Sequence, residues 1–368
     1  MVVNSSILMR GVTCLYTSRM PRVSALIPTY NRADHVEGAI QTVLGQTYDD
    51  IEAVVVNDGS TDDTDVVLDG YADDPRVVVR HNHRNRGIAY SFNRAAEAAS
   101  GELLCILGDD DRWHPEKVRR QVTRMDDLSE EYAVVYTGGV DTSVESGRVI
   151  TQYRPDMRGD IYPDVLESFG LAPHSSHMIR RSCFEAVDGF DTAFSHGVDW
   201  EMNIRLARRY KFDYISKPLV NRRIHDTNVS QTVESQARLY GWIHDKFADQ
   251  YRQFPEIDRA FRHERHRLGA HAAIQRGDRL TALGHCARAG RLSRPGLMTA
   301  LFLSILLGRR TYRTAKQGYG RVAALIDRFT GGPDTPLSDD FGRLVRSWWG
   351  DRTSETEVRS AVNGTSQD

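Results

Sequence analysis

Cysteine is scarce in this chain of 368 residues, and its four cysteines, Cys14, Cys105, Cys183 and Cys286, lie far apart without a CxxC pair. This spacing indicates neither a disulfide framework nor a zinc knuckle, and it is typical of a reducing compartment. Long apolar runs are also missing, because the longest, residues 297–307, is well short of the roughly 20 residues that a membrane-spanning helix needs. We therefore expect a cytoplasmic protein that does not cross a membrane.

An excess of charge of either sign is absent as well, since 48 Lys and Arg residues stand against 50 Asp and Glu residues, for a net charge of -2. This balance excludes the strongly basic composition typical of nucleic-acid-binding proteins, and we expect no nucleic-acid partner. No basic n-region precedes the short apolar patch near the N-terminus, so we expect no signal peptide. Hydrophobic residues make up 40% and charged residues 27%, which is typical of a folded soluble protein.

Short runs rich in valine and isoleucine alternate with amphipathic segments in the first two thirds of the chain. Five predicted strands are Val23–Ile27, Ile51–Asn57, Val77–Arg80, Glu102–Leu107 and Ala133–Tyr136. This alternation predicts an α/β fold with a mostly parallel sheet. Because ligands of such sheets bind beyond the carboxyl ends of the strands, the polar residues that follow each strand are the candidate site.

The pattern changes near residue 235, where strand-like runs stop and helical spacing takes over. We expect an extension at 1–21, an α/β domain at 22–235, a helical region at 236–350 and a disordered tail at 351–368. Within the helical region, Gly277 and Asp278 indicate a turn between two helices.

Three consecutive carboxylates, Asp109, Asp110 and Asp111, directly follow the apolar run Leu103–Leu107. Their mutual repulsion calls for a counter-charge, and Mg²⁺ or Mn²⁺ would supply it by binding one or two carboxylates together with substrate phosphates. The alternative is a solvated acidic turn before the next helix. The metal is favoured because two other polar loops follow neighbouring strands.

The loop after the second strand begins with Asp58 and Gly59. A carboxylate in this position can accept a hydrogen bond from the N–H of a nucleobase, while the alternative is an ordinary turn in which the glycine relieves backbone strain. Arg86 and Gly87 open a predicted helix whose N-terminal N–H groups suit phosphate oxygens. The alternative there is a loop with solvated arginines.

Asp199 begins another predicted helix, in the segment Gly197–Glu201. It is a candidate general base, because deprotonating an acceptor hydroxyl needs a carboxylate near the leaving group, and helix capping is the alternative. His225 is a candidate ligand for a metal or a diphosphate, with a structural role left open.

Six motifs follow one another in a recognisable order. They are Pro28–Arg32, Asn57–Asp63, Asn85–Gly87, Leu107–Trp113, Gly189–Asp191 and Asp199–Glu201. Together they resemble the family-2 glycosyltransferases, and the resemblance covers roughly residues 22–230. It implies a GT-A-type nucleotide-diphospho-sugar transferase fold, Rossmann-like, with a C-terminal helical extension. The chain departs from the family pattern at Gly108, where the first Asp of DxDD is usual, and at Val198, where Glu is frequent.

The resemblance itself supplies the nucleotide pocket at residues 28–32, the base contact of Asp58, the metal-binding role of Asp110 and the general base Asp199. With the loops described above, the expected nucleotide-sugar contacts are Pro28, Thr29, Tyr30, Arg32, Asp58, Gly59, Arg86, Gly87 and Asp109. The expected metal ligands are Asp110, Asp111 and His225. By analogy with the family, the segment between Arg148 and Cys183, which includes Pro173–His177, is expected to line the acceptor side.

The implied function is a metal-dependent, inverting transfer of a sugar from a nucleotide-diphosphate donor to a hydroxyl of a glycan or lipid-linked acceptor, in polysaccharide, glycolipid or protein-glycan assembly. One alternative is a sugar-nucleotide nucleotidyltransferase, which the loop Pro28–Arg32 disfavours because it is not Gly-rich. A non-catalytic nucleotide-sugar-binding protein is the other.

An apolar stretch near the C-terminus is followed at once by basic residues. The apolar residues are Leu297, Leu301, Phe302, Ile305 and Leu306, and the basic ones are Arg309, Arg310, Arg313 and Lys316. This pattern fits either a helix packed on the catalytic domain or a helix lying in the membrane interface. The second interpretation predicts a peripheral contact with the cytoplasmic face of a membrane.

Overall fold

The computed structural model describes residues 20–167, 171, 173–225 and 232–292. Its strands are β1 (Val23–Thr29), β2 (Ile51–Asn57), β3 (Val77–His81), β4 (Leu103–Ile106), β5 (Arg112–Trp113), β6 (Tyr132–Ser143), β7 (Val149–Tyr153), β8 (Met178–Arg180) and β9 (Lys211–Ile224). Its helices are α1 (Ala33–Leu44), α2 (Thr64–Asp69), α3 (Ile88–Ala98), α4 (Lys117–Asp126), α5 (Arg181–Ala186), α6 (Val198–Ala207), α7 (Val233–Lys246), α8 (Ala248–Gln253), α9 (Pro255–Arg276) and α10 (Arg279–Gly290).

One sheet organises the described residues, in the strand order β3-β2-β1-β4-β8-β6-β9-β5, with β7 paired to β6. Strands β1 to β4 run parallel to one another, and β6 runs parallel to β9. The short strand β8 joins these two parallel groups by antiparallel pairing with β4 and β6. The α/β fold with a mostly parallel sheet and C-terminal helices is therefore confirmed.

The two faces of the central strands are buried by different helices. In β1, Ala25 and Ile27 pack with Ile40 of α1, whereas Leu26 packs with Phe92 of α3 on the opposite face. Every residue of β1 and of β2 is buried, as expected for strands covered on both faces. The parallel pairing of β1 with β2 and with β4 places the carboxyl ends of these three strands side by side.

All five predicted strands are present, although β6 ends seven residues beyond the predicted strand, and β5, β7 and β8 escaped prediction. The longest strand, β9, also escaped prediction. Its 14 residues include Pro218, and many of its positions are only partly buried. It pairs along the length of β6 with register shifts, so the sheet is held there by backbone hydrogen bonds over an irregular, charged sequence. This strand matters because it ends beside His225.

The C-terminal helices pack on the helix that carries Asp199. Trp200 of α6 lies edge-on to Tyr240 of α7, and Tyr240 contacts Phe261 of α9, with ring centroids 5.1 Å and 4.8 Å apart. Farther along α9, a separate small core forms between α9 and α10. The predicted turn between these helices is confirmed, since Gly277 ends α9 in the left-handed region with φ 82°.

None of the helices in the described ranges combines the length and the apolarity needed to cross a membrane. The predicted extension, apart from its last two residues, and the predicted tail lie outside the described residues. The apolar stretch that starts at Leu297 and the basic residues after it also lie outside them.

Candidate active site

Three loops meet at the carboxyl edge of the sheet, as the sequence predicts. The Asp58 N–H donates to the carbonyl of Thr29 at 2.8 Å, and the Asn31 N–H donates to Ser60 Oγ at 2.9 Å. The Arg32 N–H donates to Thr64 Oγ1 at 3.1 Å. The loops after β1 and β2 therefore form one hydrogen-bonded unit, in which Tyr30 remains 41% exposed at the surface.

Gly59 is required by backbone geometry. Its φ is +74°, and a Cβ at this position would lie 2.6 Å from the Cα of Arg84. The glycine thus permits the close approach of the loop after β3, which carries Arg86 and Gly87.

The side chain of Asp58 accepts hydrogen bonds from the loop after β3. Its Oδ1 accepts hydrogen bonds from Asn82 Nδ2 at 2.6 Å and from the Arg86 N–H at 2.9 Å, and its Oδ2 accepts one from the Gly87 N–H at 2.8 Å. The buried carboxylate of Asp58 therefore binds the N–H groups of the two residues that precede α3. The Arg86 guanidinium lies over the Tyr90 ring, 4.3 Å from its centroid.

The three carboxylates of the acidic loop after β4, those of Asp109, Asp110 and Asp111, lie in different environments. Burial and the negative charge of Asp110 raise the pKa of Asp109, and Thr29, Arg32 and Arg112 oppose this shift. Asp109 therefore lies where the first loop and two arginines meet. Its position is consistent with the expected contact between this residue and the nucleotide-sugar.

Asp111 faces the interior of the protein. Its side chain accepts a hydrogen bond from Ser175 Oγ, and its Oδ1 accepts one from the Arg223 N–H at 3.3 Å. Burial and Asp110 raise its pKa. Ser175 also accepts a hydrogen bond from the Gly108 N–H at 3.0 Å, and its carbonyl accepts one from Trp113 Nε1 at 2.7 Å.

Within the segment expected to line the acceptor side, Pro173–His177 supports the acidic loop from the interior of the protein. Ser175, Ser176 and His177 are 3%, 0% and 0% exposed. Sequence reasoning missed the role of Ser175 because its partner Asp111 is 64 residues away. The signal was the density of small polar residues next to a buried strand.

Replacing Ser175 by alanine should destabilise the fold by about 1–3 kcal/mol, since it leaves the buried Asp111 carboxylate without its hydroxyl donor. The acidic loop should also lose its position, so that the Mn²⁺ concentration needed to raise the melting temperature increases. Urea denaturation and Mn²⁺-dependent melting curves measure both effects. Ser176→Ala is the matched control, because Ser176 is equally buried but contacts His177 instead. Equal Mn²⁺ responses of the two variants would contradict the role of Ser175.

Asp110 lies beside His225, with Asp110 Oδ2 and His225 Nε2 3.0 Å apart. The His225 ring stacks on the His35 ring of α1, with centroids 4.9 Å apart and planes at 22°. Two octahedral ligands at about 2.1 Å from Mg²⁺ would themselves be about 3 Å apart, so this oxygen and nitrogen fit one cation. His35 could not be identified from the sequence, because it lies near the start of the α/β domain and its partner His225 lies near the end.

No group of three or more His, Cys, Asp or Glu side chains is arranged as a metal site in the part of the chain that the structure describes. Mg²⁺ is often held by one or two carboxylates and by substrate phosphates, so two ligands from the protein are enough to bind it. The residues present, Asp110 and His225, therefore fit a divalent ion that shares its coordination with a diphosphate.

Asp199 lies in the first turn of α6, as predicted. Its Oδ1 accepts a hydrogen bond from the Trp200 N–H at 2.9 Å. Burial raises its pKa, and this backbone hydrogen bond, Arg222 and His196 oppose the shift. A carboxylate with a raised pKa is better suited to accept a proton near neutral pH than an exposed one.

Arg222 connects Asp199 with the acidic loop through its electrostatic field. Its Nε donates to Asp141 Oδ1 at 2.8 Å, and its Nη2 donates to Asp141 Oδ2 and to the Tyr153 hydroxyl, each at 2.6 Å. The charge of Arg222 lowers the pKa of Asp111 and of Asp199. The two carboxylates thus share one electrostatic environment. Sequence reasoning missed this arginine because Asp141 is 81 residues away.

A family model described as glycosyl transferase family 2 matches residues 24–187. An uncharacterized glycosyltransferase of Rickettsia typhi is 27% identical over 224 residues, which are 60% of this chain and 69% of that protein. Hyaluronan synthase of Pasteurella multocida is 29% identical over 218 residues, which are 58% of this chain and 22% of that protein. The chain therefore spans about two thirds of the first relative and less than a quarter of the second.

Solved structures share the fold. The structure of S. aureus TarS 1-349 in complex with UDP-GlcNAc aligns with a TM-score of 0.58 at 15% identity, covering 82% of this chain and 92% of that one. A mannosyltransferase from Pyrobaculum calidifontis, in complex with GDP-Man and Mn²⁺, aligns with a TM-score of 0.50 at 18% identity, covering 85% and 88%. The GT-A-type fold expected from the sequence is thereby confirmed.

Proposed function

We propose that this chain, which a glycosyl transferase family 2 model matches over residues 24–187, transfers a glycosyl group from a nucleoside-diphosphate donor to a hydroxyl acceptor with inversion of the anomeric centre, dependent on a divalent metal. The observation that carries this proposal is the meeting of the acidic loop with His225 at the sheet edge, in the same electrostatic environment as Asp199. The family match favours this reaction over a nucleotidyltransferase and over a non-catalytic binding protein.

The nucleoside would bind between the loops after β1, β2 and β3. Asp58 Oδ2 accepts the Gly87 N–H, and a carboxylate oxygen can accept a second hydrogen bond, which the imide N–H of a pyrimidine base would supply. Tyr30 and Arg86 lie at the surface of the same loops, and Thr29 and Asp109 lie deeper. UDP-GlcNAc in TarS and GDP-Man in the Pyrobaculum enzyme are donors of this general kind.

Asp110 and His225 would hold the metal, and the ion when bound would offset the charge that develops on the diphosphate leaving group. Asp111 is assigned to the loop's support rather than to direct ligation, because its contacts to Ser175 and to the Arg223 N–H turn it inward. Arg32 and Arg112 add positive charge near Asp109, where the diphosphate would lie.

Asp199 would remove the proton from the acceptor hydroxyl as that oxygen attacks the anomeric carbon. Attack on the face opposite to the diphosphate inverts the anomeric configuration. The Trp200 N–H orients the carboxylate, and its raised pKa keeps it basic enough for this step.

We also propose a glycan or a lipid-linked glycan as the acceptor and the cytoplasm as the location. The relatives that synthesise hyaluronan and chondroitin support a glycan. The described cysteines, Cys105, Cys183 and Cys286, are free and buried thiols, as expected in a reducing compartment.

The direct test is hydrolysis of a panel of UDP-, GDP- and dTDP-sugars, with release of nucleoside diphosphate measured in Mn²⁺ and in chelator. We expect one nucleotide class to be hydrolysed in Mn²⁺ only, and the anomer first formed, followed by NMR, to be inverted. Equal hydrolysis in chelator would refute the metal requirement. Release of pyrophosphate from a nucleoside triphosphate and a sugar phosphate would instead establish the nucleotidyltransferase.

A further inference from the structure

The helical hairpin formed by α9 and α10 is basic in a chain whose total charge is near zero. Residues 259–292 contain eight arginines and two acidic residues, Glu264 and Asp278, for a formal charge of +6. The whole chain carries -2, so the rest of it carries -8. Beyond the acidic first turn of α9, which carries Glu256 and Asp258, this end of the described residues is therefore net positive.

Apart from Arg259, the arginines of α9 have acidic partners, whereas those of the α10 segment have none among the described residues. On α9, Arg262 pairs with Asp258, Arg267 with Glu264 and Arg276 with Glu234. In the α10 segment, Arg279, Arg288 and Arg291 have no acidic partner among the residues that the structure describes, and α10 itself contains no acidic residue. Their charge is thus available to a partner outside the described fold.

The outward side of α10 combines this charge with apolar exposure. Ala282, Cys286 and Ala289 face α9 and are buried. At 100° per residue, the opposite face carries Leu280, Gly284, Ala287, Arg288 and Arg291. Leu280 is 83% exposed, the highest value among the large hydrophobic side chains described, and a Cβ at Gly284 would meet no atom within 4 Å.

The positive field of the hairpin is also felt by its histidines. His266 and His285 approach each other with their Nδ1 atoms 3.1 Å apart. Burial lowers the pKa of His285, and Arg288, Arg265 and Arg276 lower it further. Arginines of both helices of the hairpin therefore act on His285.

We propose that the outer face of α10, together with Arg279, docks on an anionic lipid bilayer, with Leu280 entering the acyl boundary and the three arginines at the headgroups. This surface goes beyond the proposed function, because it does not depend on the transfer reaction. A bilayer fits this surface better than an anionic glycan does, because a polar glycan would not bury the exposed side chain of Leu280. The small residues Gly284 and Ala287 also allow α10 to approach a flat surface closely.

The test uses the full chain in sedimentation with vesicles of phosphatidylcholine alone and with 30% phosphatidylglycerol, a lipid fraction of about one third chosen so that surface charge dominates. Binding is expected only to the anionic vesicles and should weaken in high salt. The variant R279Q/R288Q/R291Q should lose about 10²-fold in vesicle affinity, because each basic residue near the surface contributes about fivefold. Leu280→Ser should weaken binding at unchanged charge.

A charge-matched control is R252Q/R262Q/R267Q, in which each arginine pairs with an acidic neighbour. It should bind vesicles nearly as well as the wild type. Equal loss in both triple variants would reduce the effect to net charge and overturn the proposal. Vesicle binding that survives R279Q/R288Q/R291Q would assign the contact to another part of the chain. Binding of heparin without vesicles would identify a glycan surface instead, and donor hydrolysis should stay unchanged in every variant.

Discussion

Replacing Asp199 by asparagine is expected to lower turnover by about 10²-fold or more while donor affinity stays close to that of the wild type. The amide preserves the size of the side chain, and its oxygen can still accept the Trp200 N–H, which lies 2.9 Å from Asp199 Oδ1. It cannot accept the proton of the acceptor hydroxyl. Transfer to an acceptor and calorimetric titration with the donor separate these two effects.

The same substitution should change the dependence on pH. Burial raises the pKa of Asp199 above its ordinary value of 3.8, so wild-type turnover should fall as the pH drops through the raised pKa. Between the unfolded and folded pKa values, the native state binds more protons than the unfolded state, so this carboxylate lowers stability as the pH rises. Asp199→Asn should therefore be relatively more stable at neutral pH, and the gain should disappear below the unfolded pKa.

Asp191→Asn is the control for this experiment, since it makes the same chemical change in the segment before α6. Asp191 Oδ2 pairs with Lys246 of α7, and its Oδ1 accepts the Ala193 N–H at 2.9 Å. This variant should lose stability but keep turnover. A parallel loss of donor affinity and turnover in Asp199→Asn would show that Asp199 positions the donor or the fold and is not the base.

Replacing Asp110 by alanine should abolish metal-dependent donor hydrolysis and leave the fold intact. One of three neighbouring carboxylates is removed, so repulsion in the loop decreases and the melting temperature without metal should stay equal or rise. The increase in melting temperature on adding Mn²⁺ with nucleoside diphosphate should be lost, because His225 remains as the single proposed ligand. Melting curves and calorimetry with and without chelator measure this result.

Asp63→Ala provides the matched change in charge, because Asp63 is an exposed carboxylate in the neighbouring loop whose side chain makes no capping hydrogen bond. It should retain hydrolysis and the response to Mn²⁺. Hydrolysis near the wild-type rate in Asp110→Ala would refute the metal role. A collapse of its melting temperature would favour a structural role instead.

The parts of the fold that could be predicted are those in which the local sequence pattern is compatible with one type of secondary structure. The strands β1 and β2 are apolar at five of their seven positions, which is typical of strands buried between two layers of helices. By contrast, β5 has two residues, and β9 owes its position to pairing with β6, a strand about 70 residues earlier. Such pairing leaves no periodic signature in the sequence.

The candidate site divides in the same way. The order of motifs located Asp58, Asp110 and Asp199, because each follows a strand or opens a helix. It could not reveal that Asp58 would bind the N–H groups of Arg86 and Gly87, or that Asp111 would turn toward Ser175. Those contacts depend on which chain segments the folded sheet brings together.

Helix α9 packs in two separate cores, one near each of its ends. Phe261, near its start, packs with the rings beside Trp200, and Ile274, near its end, packs against α10. Thirteen residues separate them, which is about 20 Å along an α-helix. This length separates the rings beside Trp200 from the start of α10, whereas the end of α10 returns along α9, since the Ala289 carbonyl lies 3.2 Å from His263 Nδ1. A lipid-anchored acceptor held at Leu280 would therefore be attached about 20 Å along α9 from the rings beside Trp200.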